Sequence, residues 1–222
     1  MGKRDQNRIE QRERILESAR NLFAAEGFEQ VTVSEIARNA GVARATVFNY
    51  FASKHALVDA ITEDVLSYYG RMLERALANE TSSTPALLRA LFEQMALGIQ
   101  QVQQFYRGVF REIAKMQVGL DEGGAAARER ELCVGRLAAL MQRGQQRGEL
   151  SELNAAADLA YAFDSLSNGT IVHWLYDDPS KSLPDRMARA IEVFLGGAAI
   201  GASPRGEEPL PDLGEPGPGV DV

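Results

Sequence analysis

Arg44, Thr46, Asn49 and Tyr50 fall within the seven-residue run RATVFNY, and each carries a side chain that hydrogen-bonds polar partners. An arginine fork takes two acceptors side by side, as on a phosphate or on the O6/N7 edge of guanine. The asparagine amide offers a donor and an acceptor together, and the hydroxyls of Thr46 and Tyr50 suit phosphate oxygens. Ser34 lies upstream and Lys54 downstream, adding a hydroxyl and an ammonium. This chemistry recognises a partner and breaks no bond.

The elements that position these groups can be traced from Thr32 to Lys54. Thr32 and Glu35 have the S/T-x-x-E spacing of a capping box, and Ile36, Ala37 and Ala40 recur behind them at helical spacing. Gly41 ends that helix, because glycine enters the left-handed conformation without a Cβ penalty, and Val42 follows as an apolar plug. A second helix turns Val47 and Phe51 inward and leaves Arg44, Ala45, Thr46, Phe48, Asn49 and Tyr50 outward. Small Ala37 lets the two helices cross closely. The pattern predicts a helix-turn-helix, whose second helix fits the major groove of double-stranded DNA. Ala43 supplies no capping oxygen, so the first N–H groups of that helix are open to a phosphate.

Thr32–Lys54, preceded by ILESARNLFAAEGFEQV, resembles the N-terminal domain of the tetracycline-repressor (TetR) family of bacterial transcription regulators. The matching residues include Ile15, Leu16, Ala19, Leu22, Phe23, Gly27, Phe28, Thr32, Ile36, Ala37, Gly41, Val42, Thr46, Phe51, Lys54 and Leu57. Phe48 stands where the family often has tyrosine, and Ala43 where serine or threonine often caps the helix. The resemblance implies a cytoplasmic homodimer that binds a near-palindromic operator and is released by a small molecule. It also gives Lys54 the family's phosphate contact.

A net charge of −7 looks adverse to DNA, but its distribution removes the objection. Residues 1–57 hold nine basic and seven acidic groups, and the remainder holds 15 and 24. Lys3, Arg4, Arg8, Arg12 and Arg14 precede the motif, and phosphate binding follows local charge. Residues 1–7 read as a mobile polar lead. From Arg8 a helix carries Ile9, Ile15, Leu16, Ala19, Leu22 and Phe23 on one stripe, closed at Gly27 with Phe28 folding back on Phe23 as in a Schellman cap.

The expected fold is all-α: a three-helix DNA-binding domain over residues 8–54 and a helical ligand-binding and dimerisation bundle over 55–200. Ser53 caps a helix to Ala78 with Leu57, Ile61, Val65, Tyr68, Met72 and Leu77 as its buried stripe. Further helices are predicted at Pro85–Gln101, Gln103–Gln117, Gly124–Gly148, Asn154–Asp177 and Pro184–Leu195. The helix from Asn154 is apolar nearly all round, which calls for burial on two sides and points to a second subunit. Five of the eight prolines lie in 201–222, a Pro/Gly-rich acidic composition expected to be disordered.

Catalytic and metal readings find little support. His55 and His173 are far apart, Cys133 is the single cysteine, and no nucleophile, phosphate-loop or H-E-x-x-H motif occurs. No catalytic residue, metal ligand or cofactor is assigned, and no apolar run reaches the length of a membrane span. Phe105, Tyr106, Phe110, Met116, Tyr161, Phe163, Asn168, His173 and Trp174 are the candidates for an apolar effector site between bundle helices. A helical binding protein without DNA, or an enzyme in the distal bundle, remains an alternative to a ligand-released repressor.

Overall fold

The computed structural model describes residues 2–109, 124–177 and 181–198, and among these every regular element is a helix. The order is α1 (Lys3–Glu26), α2 (Val33–Asn39), α3 (Arg44–Tyr50), α4 (Lys54–Ala78), α5 (Thr84–Gln101), α6 (103–109), α7 (Ala125–Gln146), α8 (Ala156–Tyr176) and α9 (Leu183–Ala198). The expected extents of the helices from Pro85, Gly124, Asn154 and Pro184 hold to within a few residues, and of Gln103–Gln117 only 103–109 are described. Phe110, Met116 and the tail 201–222 lie outside the described residues.

The local signals act as predicted in the motif. Thr32 Oγ1 accepts the Glu35 N–H at 3.3 Å, and the Glu35 carboxylate accepts the Thr32 N–H at 2.8 Å. The Thr32 hydroxyl and N–H together hold the Glu35 carboxyl below its usual range. Gly41 has φ +67°, and the Val42 N–H reaches back to the Ala37 carbonyl at 2.9 Å. A side chain at Gly41 would strain this turn.

Two expectations need correction in α1. The helix begins at Lys3, ahead of the expected start at Arg8, with the Asp5 carboxylate accepting the Gly2 N–H at 3.2 Å. At the other end, Phe28 does pack on Phe23, with ring centroids 5.5 Å apart, but the closure is not a Schellman cap. The Phe28 N–H donates instead to the Gly108 carbonyl of α6 at 2.9 Å. A Cβ on Gly108 would sit 2.0 Å from the Phe23 carbonyl oxygen, so only glycine permits this backbone approach.

Two cores result. The N-terminal one gathers Ile15, Leu16, Phe23, Ile36, Val47, Phe51, Leu57 and Ile61, together with Phe105 and Val109 from α6. Ser18 donates its hydroxyl to the Ile36 carbonyl at 3.0 Å inside it, fixing α1 to α2. The C-terminal core packs α4 against α7, α7 against α8, and α5 against α9, around Leu73, Phe92, Leu137, Phe163 and Trp174. Helix α4 serves both: Leu57, Val58, Ala60 and Ile61 enter the first, and Met72, Leu73 and Ala76 the second. Val65 and Tyr68, expected on that buried stripe, are exposed between the two cores.

The apolar side of α8 also differs from expectation. Leu159, Ala160, Phe163 and Trp174 are buried within their own subunit. Phe163 stacks edge-on against Phe92 at 4.4 Å and Phe194 at 5.5 Å. The opposite side carries small groups, with Ala162 and Ser165 exposed and Gly169 half-buried. Tyr161 beside them is 60 % exposed and Val193 of α9 75 % exposed.

Candidate nucleic-acid interface

Seven residues make α3 too short to be stable alone, so its neighbours must place it. Val47 is 1 % exposed and Phe51 5 % exposed, and these two anchors turn the opposite side of α3 to solvent. Arg44, Ala45, Phe48 and Asn49 are exposed there, and Thr46 and Tyr50 are half-buried at its edges. The Arg44 guanidinium lies over the Phe48 ring, 5.4 Å from its centroid, so the phenyl group guides the cation along the helix surface. Ala43 at the N-cap position makes no side-chain cap, as its type requires. Ser34 is exposed in the first turn of α2.

Tyr50 and Lys54 take positions that their types and spacing did not reveal. The Tyr50 hydroxyl donates to Gln11 Oε1 of α1 at 3.0 Å, and the Arg12 guanidinium stands 5.7 Å from the Phe51 ring centroid. These two contacts tie the end of α3 to α1. The Lys54 ammonium turns inward, donating to the carbonyls of Phe28 at 2.6 Å and Val31 at 3.0 Å and lying 4.1 Å from the Phe28 ring centroid. It bridges the α1–α2 turn, where a free cation for phosphate was expected. Hydrogen bonds from a charged donor contribute roughly 1.5–3 kcal/mol each, less where water competes. Lys54→Ala is therefore expected to lower the melting temperature. Arg44→Ala should leave it unchanged and relax base preference by roughly 1–3 kcal/mol at one position. Melting curves and binding to a mutated set of duplexes check the pair; a stable Lys54→Ala protein would contradict the bridge.

The described effector candidates lie in several different surroundings. Phe105 sits in the N-terminal core, and Tyr106 touches both cores with its phenol pushed up to about 12 by burial. Phe163 and Trp174 are fully buried packing residues, and the Trp174 indole N–H donates to the Lys181 carbonyl at 2.7 Å. Asn168 donates to Asp164 at 3.2 Å, while Tyr161 and His173 face outward. Phe110 and Met116 lie outside the described residues. Helical spacing marks a buried face but does not say whether a helix or a ligand covers it, and for Phe163 and Trp174 helices cover it.

Sequence reasoning missed the joints between the domains. Asp59 of α4 accepts the N–H groups of Ala125 and Ala126 at 3.2 and 3.3 Å, capping α7 from another element. Arg20 of α1 pairs with Asp64 of α4 at 2.8 Å. Gly108 left one legible trace, a lone glycine in a helical run, which often marks close packing. Cys133 is buried and its thiol is pushed up to about 11, chiefly by that burial, so it is a poor nucleophile. Among the described residues no cluster of three metal-ligating side chains occurs, and no helix is long and apolar enough to cross a membrane.

A two-helix motif with an outward polar face, mounted on a helical bundle, defines a helix-turn-helix DNA-binding regulator. Residues 15–61 match the family model of bacterial regulatory proteins, tetR family. An uncharacterized HTH-type transcriptional regulator of Bacillus subtilis (strain 168), YfiR, is 26 % identical over 182 residues, covering 82 % of this chain and 88 % of its own. The fatty acid degradation regulator FadR of Bacillus halodurans shares the fold with TM-score 0.71 at 18 % identity, covering 84 % of this chain and 95 % of its own. Thermus thermophilus FadR, a TetR-family repressor solved with lauroyl-CoA, has TM-score 0.64 at 24 % identity, covering 90 % and 98 %. Residues 15–61 thus carry the DNA-binding domain of tetR-family regulators, and the chain as a whole shares the fold of the FadR structures.

Proposed function

We propose that the protein is a homodimeric repressor that holds a near-palindromic operator through α3 of each subunit and releases it on binding a largely apolar small molecule. The observation that carries this reading is the division of α3 into a buried Val47–Phe51 anchor and an exposed face of Arg44, Ala45, Phe48 and Asn49. Ser34 and the open N–H groups after Ala43 add phosphate contacts, with Thr46 at the edge of the same face. Lys54 and Tyr50 serve chiefly as positioning residues, holding the motif against α1 and its turn.

The small-residue side of α8, with Val193 of α9, supports an isologous interface, because Ala162, Ser165 and Gly169 let a partner helix approach closely. The exposed Tyr161 would then lie at that interface rather than in an effector pocket. Thermus thermophilus FadR was solved with an acyl-CoA, which makes acyl thioesters the first effectors to test here. Coupling runs through α4, which enters both cores, through Asp59 on the start of α7, and through the α6–α1 contact. A ligand shifts this assembly only if it prefers one arrangement of the two reading heads. Recognition helices must match half-sites roughly 34–36 Å apart, so a small tilt of α4 in each subunit is enough to lose affinity.

Calorimetric titration of lauroyl-CoA, with and without a duplex enriched by the protein from a random pool, tests the reading. Linkage requires the ligand to bind more weakly in the presence of DNA, by the same factor that it weakens DNA, typically 5–150-fold. Equal affinity in both titrations would sink the release mechanism for that ligand. Failure to enrich any duplex would instead favour a helical binding protein without DNA.

A further inference from the structure

The first turns of α1 are a helix with almost nothing to lean on. Ile15 is the first residue of α1 to enter the core, so Lys3–Arg14 extend about 18 Å ahead of it. A stretch polar on nearly every side gains little from tertiary packing. Among the described residues it is tied by the Tyr50–Gln11 hydrogen bond and the Arg12–Phe51 contact. Both fasten it to the C-terminal end of α3, beside the face that reads DNA.

Its charges are sorted around the helix. Arg4, Arg8 and Arg12 follow one another at i, i+4, so they share a stripe, and Gln11 lies beside it. Glu10, Glu13 and Glu17 fall on the opposite side. Because Gln11 is the group bonded to Tyr50, the basic side is the one turned toward α3. Arg8 and Arg12 accordingly border one open depression with Asn49 and Tyr50. Asp5 borders it too, with its carboxylate accepting the Gly2 N–H. Arg4 and Arg8 are exposed and form no ion pair or hydrogen bond among the described residues.

We propose that Arg4 and Arg8 bind backbone phosphates of duplex DNA beside the base pairs read by α3, so that each subunit holds its half-site at two places. A guanidinium row without carboxylate partners, fixed next to a recognition helix, suits a polyanion that continues past the end of that helix. Glu10, Glu13 and Glu17 border a second depression with Arg4, Arg8 and Tyr50, and their repulsion of phosphate limits the rotations in which the arginine row can meet the DNA backbone. Contacts of this kind set register and affinity and carry no base preference.

The inference rests on the DNA-binding reading, and the test separates the two. Fluorescence anisotropy would follow binding to a labelled duplex of roughly 40 base pairs, enriched from a random pool by the protein itself, across a salt series. In the R4Q/R8Q variant the slope of log affinity against log salt is expected to fall by about 0.9 for each phosphate no longer neutralised, with base preference unchanged. The charge-keeping R4K/R8K variant should restore the slope. An unchanged slope in R4Q/R8Q would overturn the proposal. So would an equal loss in both variants, because that would trace the effect to the helix and not to the charge. Absence of binding by the wild-type protein to every duplex would sink the DNA-binding reading, and this inference with it.

Discussion

Phe163→Ala is expected to destabilise each subunit by roughly 3–5 kcal/mol, the cost of emptying a large aromatic site that cannot collapse. The ring is fully buried and locked edge-on between Phe92 and Phe194, joining α8 to α5 and α9. Urea denaturation measures the loss, and a change below about 1 kcal/mol would show that the site relaxes. A charge at Ala160 or Phe163 should therefore unfold the chain rather than separate a pair of folded subunits. Ala162→Glu is the contrasting case, because Ala162 is exposed on the other side of the same helix. It is expected to leave the unfolding of the subunit nearly unchanged and to yield monomers by sedimentation. Retention of a dimer by Ala162→Glu would move the interface elsewhere.

Gly108→Ala is the second large effect expected, although it adds one methyl group. That methyl would meet the Phe23 carbonyl oxygen at 2.0 Å, and the oxygen is backbone, so α6 and the end of α1 must separate. The Phe28–Gly108 hydrogen bond would go with the shift, and Phe105 and Val109 would lose their seats in the N-terminal core. Overpacking of this kind costs typically 1–3 kcal/mol, occasionally more. Hydrogen exchange at the Phe28 amide should accelerate in the variant, and a proposed effector should lose its influence on DNA binding. Wild-type protection of that amide would mean that the contact can yield without breaking.

What could be foreseen from the chain follows the range of the interactions. The capping box of Thr32 and Glu35, the turn at Gly41 and the division of Arg44–Phe51 depend on residues within a turn or two, so their spacing states them. Helix existence was legible for the same reason. The destinations of the long side chains were not. Phe105 belongs to the core of the domain that precedes it in the chain, and periodicity gives a face without a partner. Lys54 was assigned to phosphate on resemblance, whereas the turn at Phe28–Val31 presents carbonyls to it that only the folded loop brings near. The helix from Asn154 was expected to meet a second subunit because it is apolar on several sides, whereas its Ala160 and Phe163 are buried within their own subunit. Ala162 and Ser165, with Tyr161 beside them, face outward instead.

Helix α4 has a consequence for anyone recombining regulators of this kind. Because its first half completes one core and its second half another, a seam within Leu57–Ile61 or within Met72–Ala76 breaks a core. A hybrid that takes the reading head from one protein and the bundle from another must carry α4 whole, together with a matching α6 for Phe105 and Val109 to fill the head. The unit that can be exchanged is thus discontinuous in sequence, and grafts cut at the end of α3 would leave both halves with open cores.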